Sequence, residues 1–255
     1  MLLGPGALLA GRAGRGAAAG RALRVGVDVA LFDSGFAQAL TRGFKADTGI
    51  AVQLVPGPVR PMLDALDRGE LDAAISNAPD IEARLENEGL VHDRRLVAHG
   101  EFVLVGPAPR GKAGAATGSV AEVLQRVRDA APGSVTFLSA ADGSAAHAAE
   151  HAAWREVRLA PAAPMLVEAA PGSSLVAQAR ARGAYAVVER GAWLAQGGAP
   201  LVVLAQGEPL LRGAVHVMRA FRVNHPAGKI FVAWVAGPQG RRVVAAQRGY
   251  RVPGG

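Results

Sequence analysis

His147, Glu150 and His151 spell H-x-x-E-H within the helix-like stretch Ser139 to Trp154, and that spacing sets two imidazoles one turn apart on one helix face. Two imidazoles beside a carboxylate are zinc-ligand chemistry, in the order of the inverted zinc-protease signature. A catalytic zinc needs a third protein ligand, and no other carboxylate is singled out by its position. His216 and His225 lie far along the chain without a supporting pattern. Ser34, Ser144 and Ser173 or Ser174 suggest different chemistry, because each stands where a strand pattern gives way to a helix pattern. Hydroxyls and backbone N–H groups converging at helix N-termini suit a tetrahedral oxyanion, although each serine also suffices as a helix cap. No P-loop, nucleophile elbow or complete dinucleotide fingerprint is present, and no base is tied by sequence to Ser34.

These residues need elements to hold them, and the composition allows a large core. The chain has 255 residues, half of them apolar, enough for one or two domains and here read as two lobes. Its net charge of +7 comes from arginines scattered among Ala, Gly and Val, without the clusters or interleaved aromatics of a nucleic-acid surface. With no Cys there is no disulfide, thiolate zinc site or lipoprotein anchor. Residues 1–22 pair a short apolar run, Leu2 to Ala10, with small residues and arginines, which reads as a degenerate signal sequence or a disordered tail. Nowhere do 18 consecutive apolar residues occur.

From Leu23 the chain alternates short apolar runs with helical patterns, as parallel βαβ units do. Strands are predicted at 23–29, 50–55, 71–76, 102–106, 135–138, 165–169, 184–188, 201–204 and 214–221. The first helix is predicted to be capped by Asp33 or Ser34, to bury Phe36, Leu40 and Phe44, and to end at Gly49. A later helix runs through Met62, Leu63 and Leu66, others follow Asp80, Asp142, Ser173 and Glu189, and two more fill 227–236 and 238–248. Ser119 with Glu122 forms a capping-box pattern, and the stretch after Pro107 reads as a Gly/Ala/Pro loop or hinge exit.

Four segments in order, ALFDSGFAQAL, EFVLVGP, SAADGSAAHAAEHAAW and RGAYAVVERGAWLA, resemble the solute-binding proteins of tungstate ABC transporters, a branch of the type II periplasmic binding proteins. The resemblance runs from Leu23 to the C-terminus. It implies two α/β lobes joined by two crossovers, with 23–105 plus 208–255 as lobe one and 106–207 as lobe two. It also implies a monomer in the periplasm that is not an enzyme and uses no cofactor or metal. Its partners would be a small anion of the tungstate or molybdate kind, or a divergent ligand, and an ABC permease in the inner membrane, with no nucleic acid. Ser34, Arg60, Ser139, Asp142, Ser144 and Ser173 are the expected contacts, Asp142 as an orienter of donors.

The departures from that family are chemical. Where it has a Thr-Thr-Thr-Ser run, this chain has Val27, Asp28, Val29 and Ala30. The arginine expected against the oxyanion is Ala140, a histidine position is Asn77, and a Gly-Thr-Gly turn is Gly57-Pro58-Val59. Loss of one charge-assisted hydrogen bond costs roughly 1.5 to 3 kcal/mol. Arg60 can supply a replacement charge, and a larger or organic ligand suits walls of Val and Ala. A metal-dependent hydrolase on the His147 helix and a cytoplasmic ligand-sensing domain of the same fold are the competing readings.

Overall fold

The computed structural model describes residues 21–108, 118–158 and 165–254. The signal-like reading of the first residues, up to Gly20, and most of the loop after Pro107 lie outside them.

A parallel trio begins the fold. β1 (Leu23–Asp28) lies between β2 (Val52–Gly57) and β3 (Ala73–Ser76), with α1 (Val29–Asp33), α2 (Phe36–Thr48) and α3 (Val59–Asp67) in the connections. After α4 (Pro79–Asn87) comes β4 (Val91–Pro107), and late in the chain β9 (Arg212–Ala220) inserts antiparallel between β3 and β4. The two-residue β10 (Tyr250–Arg251) finishes that edge, giving the order β10-β4-β9-β3-β1-β2. α9 (Pro226–Ala236) and α10 (Pro238–Ala245) pack beside α2.

β4 serves both halves of the molecule. Up to Glu101 it pairs with β9, and from Phe102 it pairs with β7 (Ala186–Glu189) and β8 (Leu201–Gln206). Around that second part lie α5 (Val120–Arg128), the parallel pair β5 (Phe137–Ser139) and β6 (Leu166–Glu168), and α6 (Ala145–Glu156), α7 (Leu175–Arg182) and α8 (Arg190–Gln196). The chain returns through Gly207, whose φ of 83° favours glycine, and a 3-10 turn at Pro209–Leu211.

Alternation along the end of β4 shows how one strand serves two core layers. Phe102 and Leu104 pack with Phe137, Leu124 and Trp154, whereas Val103 and Val105 pack with Val176 and Val188 on the other face. In the other half, Leu40, Phe44 and Phe231 fill one face of the sheet and Leu63, Leu66 and Met218 the other. Both halves of the large sheet are covered on both sides, as βαβ crossovers require.

The structure differs from the sequence reading at three places. The strand predicted at 102–106 is the last part of a 17-residue strand whose first half, VHDRRLVAHG, carries register shifts after His92 and Leu96. Those irregularities, with Asp93 at φ 52°, erase the apolar alternation that signals a strand. Where one helix was predicted after Asp33, two stand. Asp28 caps α1 by accepting from Leu31 N at 2.9 Å, and Gly35 at φ 79° turns the chain into α2. β10 is too short to show a pattern. The capping box on α5 has both bonds, Glu122 N to Ser119 Oγ at 3.2 Å and Ser119 N to Glu122 Oε2 at 2.9 Å.

Candidate functional site

A cavity of about 300 Å³ lies between the two halves, at the C-terminal ends of β1, β3, β6 and β7. Ligands of α/β sheets bind beyond those strand ends. Most of the wall is apolar, with Val29, Val59, Ala140, Ala170, Val176 and Val188 among its residues. The halves touch directly around it. Ala145 N, in the first turn of α6, donates to Asn77 O at 2.7 Å, and Gln196 Nε2 donates to Asp33 Oδ2 at 2.8 Å. Gly191 on α8 sits so close to Tyr250 and Ser34 that a Cβ there would lie 2.7 Å from Tyr250 Cε2 and 2.9 Å from Ser34 Cβ.

Asp28, Asn77 and Glu189 line the cavity and are each 2% exposed. Asp28 Oδ1 is committed to the α1 cap, but no hydrogen bond of normal geometry reaches its Oδ2. Asn77 Oδ1 is likewise unpartnered, and so are both carboxylate oxygens of Glu189. The Tyr250 hydroxyl lies beside Glu189 but donates to Ser34 Oγ at 2.7 Å. Burial pushes the Asp28 carboxyl up to about 7, against the pull of the Leu31 and Asn77 N–H groups, with Asp142 and Glu82 adding to the rise. Burial, then the nearby Asp28, pushes Glu189 up to about 8. The Tyr250 phenol is pushed up by the same burial and by Glu189. This end of the cavity therefore holds acceptors and carboxyl groups that resist ionisation.

Of the six residues expected in the cleft, Arg60, Asp142, Ser144 and Ser173 line this cavity. Arg60 is exposed in the first turn of α3, and its Nη2 would lie 3.1 Å from a Cβ placed on Gly143. Asp142 Oδ1 accepts from Ser144 N at 2.9 Å, which shapes the turn into α6, and Ser144 Oγ accepts from His147 N at 3.3 Å. Ser173 follows Gly172, while its neighbour Ser174 caps α7 and donates to Gln196 Oε1 at 2.8 Å. Ser34 does not line the cavity. Its Oγ donates to Leu31 O, accepts from Phe36 N, and accepts from Tyr250. Ser139 lies apart as well, 3% exposed at the end of β5 beside Glu150, with its Oγ accepting from Ala141 N at 3.3 Å. Asp28, Asn77 and Glu189 were not among the six. Their one sequence signal is an acid or amide directly after an apolar strand.

The H-x-x-E-H residues surround a second hollow with Ser139, Trp154 and Glu168. His147 Nε2 and His151 Nε2 are 2.7 Å apart, and Gly143 N donates to His147 Nδ1 at 3.1 Å. That N–H leaves the proton of neutral His147 on Nε2, pointing at His151. A metal on Nε2 would have to displace it onto Nδ1, against the Gly143 N–H. Two Nε2 ligands on one tetrahedral zinc also sit about 3.3 Å apart at ordinary bond lengths. Burial first, then the neighbouring His151, lowers the His147 pKa, and burial raises Glu150 to about 7. Among the described residues no group of three His, Asp or Glu is placed to hold a metal ion. The hydrolase reading is therefore not supported.

Comparison with known proteins gives the same fold. A protein of Haloferax volcanii named as an ABC transporter anion-binding protein is 25% identical over 238 residues, covering 88% of this chain and 68% of its own length. The tungstate-binding protein TupA of Peptoclostridium acidaminophilum is 28% identical over 165 residues, covering 64% of this chain, which spans only 57% of that relative. The solved structure of a tungstate ABC transporter protein from Geobacter sulfurreducens superposes with a TM-score of 0.75 at 24% identity, covering 88% of this chain and 98% of that one. The fold is that of the type II periplasmic binding proteins. The sequence profile described as PBP superfamily domain matches residues 16–235, most of the length, and the chain belongs to that superfamily of periplasmic-binding-protein-like domains.

Proposed function

We propose that this chain is the solute-binding component of an ABC-type importer, closing two lobes over a small anion and presenting the closed form to a membrane permease. The observation that carries this reading is the cavity at the strand ends, lined by Asp28, Arg60 and Asn77 from one half and by Asp142, Ser144 and Glu189 from the other. Such a site works by binding and release, with no bond chemistry, and hinge closure transmits occupancy to the partner. Among the described residues Arg60 is the one cationic side chain on the wall and the natural contact for an acidic group of the solute. The names of the relatives support capture of an anion, and the signal-like reading of residues 1–22 supports export to the periplasm. No helix among the described residues is long and apolar enough to cross a membrane.

A thermal-shift screen tests this function against tungstate, molybdate, sulfate, phosphate, small carboxylates and amino acids. One of them at 100 times its Kd should stabilise the protein by about 2.7 kcal/mol. Small-angle scattering on the same samples should show contraction with that solute. Scattering that is unchanged by every solute, with no thermal shift, would remove the binder reading.

A further inference from the structure

The unsatisfied polar atoms at the cavity share one character. Asp28 Oδ2, Asn77 Oδ1 and Glu189 Oε1 and Oε2 are all oxygens that no hydrogen bond of normal geometry reaches, contributed by both halves, with Asn77 N near Asp28 and the Tyr250 hydroxyl near Glu189. Buried polar groups in folded proteins are nearly always partnered, so a set of orphans at one end of a ligand cavity describes the missing partner. A tungstate-like oxyanion brings only acceptors, so it would be held here only while Asp28 and Glu189 are protonated and able to donate. The charge balance agrees: among the described residues Asp28, Asp33, Asp142, Glu168 and Glu189 line the wall against Arg60 alone. Volume agrees as well, since about 300 Å³ with mostly apolar lining is the lower end of organic-ligand pockets and generous for a five-atom ion.

We propose that the captured solute is a small organic zwitterion whose protonated nitrogen docks between Asp28, Asn77 and Glu189, with a compact apolar body along the Val and Ala wall and its acidic group toward Arg60. The proposal rests on the reading of this cavity as the solute site and replaces the simple anion of that reading with a solute that joins its anionic group to a cationic one. A protonated nitrogen supplies two or three N–H donors at once, which matches carboxylate and amide oxygens arriving from opposite halves. Because Asp28 belongs to β1 and Glu189 to β7, the same nitrogen ties the halves together and favours closure.

The acids give the proposal a sign. In the unliganded protein Asp28 faces Glu189, Asp142 and Glu82, the last already paired with Arg94 and His216, while Glu189 faces Asp28 and Tyr250. A cation beside two reluctant carboxyls favours their ionised forms, so binding releases protons. Affinity for a nitrogen-bearing solute should rise between pH 6 and pH 8, by up to about tenfold per pH unit for each proton released. Affinity for an oxyanion should fall over the same range.

The test uses matched probes on the full chain: amino acids of two to six carbons with the nitrogen at the α or ω position, the same acids without nitrogen, the same amines without carboxylate, and tungstate and molybdate. Calorimetric titration at pH 6, 7 and 8 should find an amino acid that binds at least tenfold tighter than both its nitrogen-free and its carboxylate-free counterparts, with affinity rising with pH. Glu189→Gln and Asp28→Asn keep shape and the α1 cap, so folding is preserved, and each should weaken that binding at least tenfold at pH 8. Three results would overturn the zwitterion: a nitrogen-free acid or an oxyanion binding as well as any amino acid, affinity that falls with pH, or no response to any amino acid. Binding of tungstate or pentanoate alone would leave the solute-binder reading intact, whereas absence of binding to every probe, with scattering unchanged, would remove both.

Discussion

Glu82 and Glu189 are both carboxylates sealed inside this protein, 0% and 2% exposed, and the fold treats them in opposite ways. Glu82, on α4, accepts from Ala78 N at 2.9 Å and Arg94 Nε at 3.1 Å, and its Oε2 lies 2.7 Å from His216 Nδ1. Glu189, at the end of β7, has only the Tyr250 hydroxyl beside it, and that hydroxyl donates to Ser34 Oγ. Asp72 repeats the first pattern, with Arg21 at 2.6 Å and Arg24 N at 2.8 Å, and Asp28 repeats the second at one oxygen. A buried acid that serves the fold is fully partnered. Among the described residues, the buried acids with oxygens that no hydrogen bond of normal geometry reaches are Asp28 and Glu189, both at the cavity, as the proposed solute site requires.

The contrast can be broken by substitution. Glu82→Ala leaves Arg94 and His216 without their anion and should cost about 3 to 5 kcal/mol in urea unfolding, as breaking a buried pair does. Glu189→Gln removes a reluctant acid and should leave stability at pH 8 unchanged or raised. Equal losses from the two substitutions would end the distinction. Next in size is Gly191→Ala, which drives a methyl into Tyr250 and Ser34 across the seam between the halves. Overpacking of this kind costs about 1 to 3 kcal/mol, and here it should also enlarge the radius of gyration in small-angle scattering because the seam opens. An unchanged radius would show that the contact does not hold the halves together. Ser144→Ala removes the hydroxyl that caps α6 and should cost only about 1 kcal/mol in the same unfolding assay. A much larger loss would mean that Ser144 does more for the fold than cap a helix.

The legible parts of this chain are those fixed by local spacing. Phe36, Leu40 and Phe44 recur every four residues and bury one face of α2, and Ser119 with Glu122 forms a capping box because both partners lie within one turn. The first half of β4 escaped, since bulges and the run HDRR remove the period that marks a strand. Around the cavity, Arg60, Asp142, Ser144 and Ser173 stand at turns that the sequence marks. Asp28 and Glu189 could not be weighed in the same way. Asp28 falls out of phase with Val25 and Val27, and only a sheet covered on both faces buries that phase; which helix covers it is tertiary information. Ser34 shows the same limit from the other side, because its hydroxyl is occupied by Tyr250, 216 residues away.

The most direct test is the melting temperature of the unliganded protein and of the Asp28→Asn/Glu189→Gln double variant from pH 5 to pH 8. A carboxyl raised from its ordinary value toward 7 or 8 by folding keeps its proton in the folded state while the unfolded chain has lost it. Stability then falls as pH rises through that window, by up to about 1.4 kcal/mol per pH unit for each group. Groups with lowered values, such as Asp93 beside Arg219, act below this range, and Glu150 and His147 contribute equally to both proteins. The wild type should therefore lose stability relative to the double variant steadily from pH 5 to pH 8. Parallel curves would mean that Asp28 and Glu189 already have their partners within the fold, and the central claim about the cavity would be wrong.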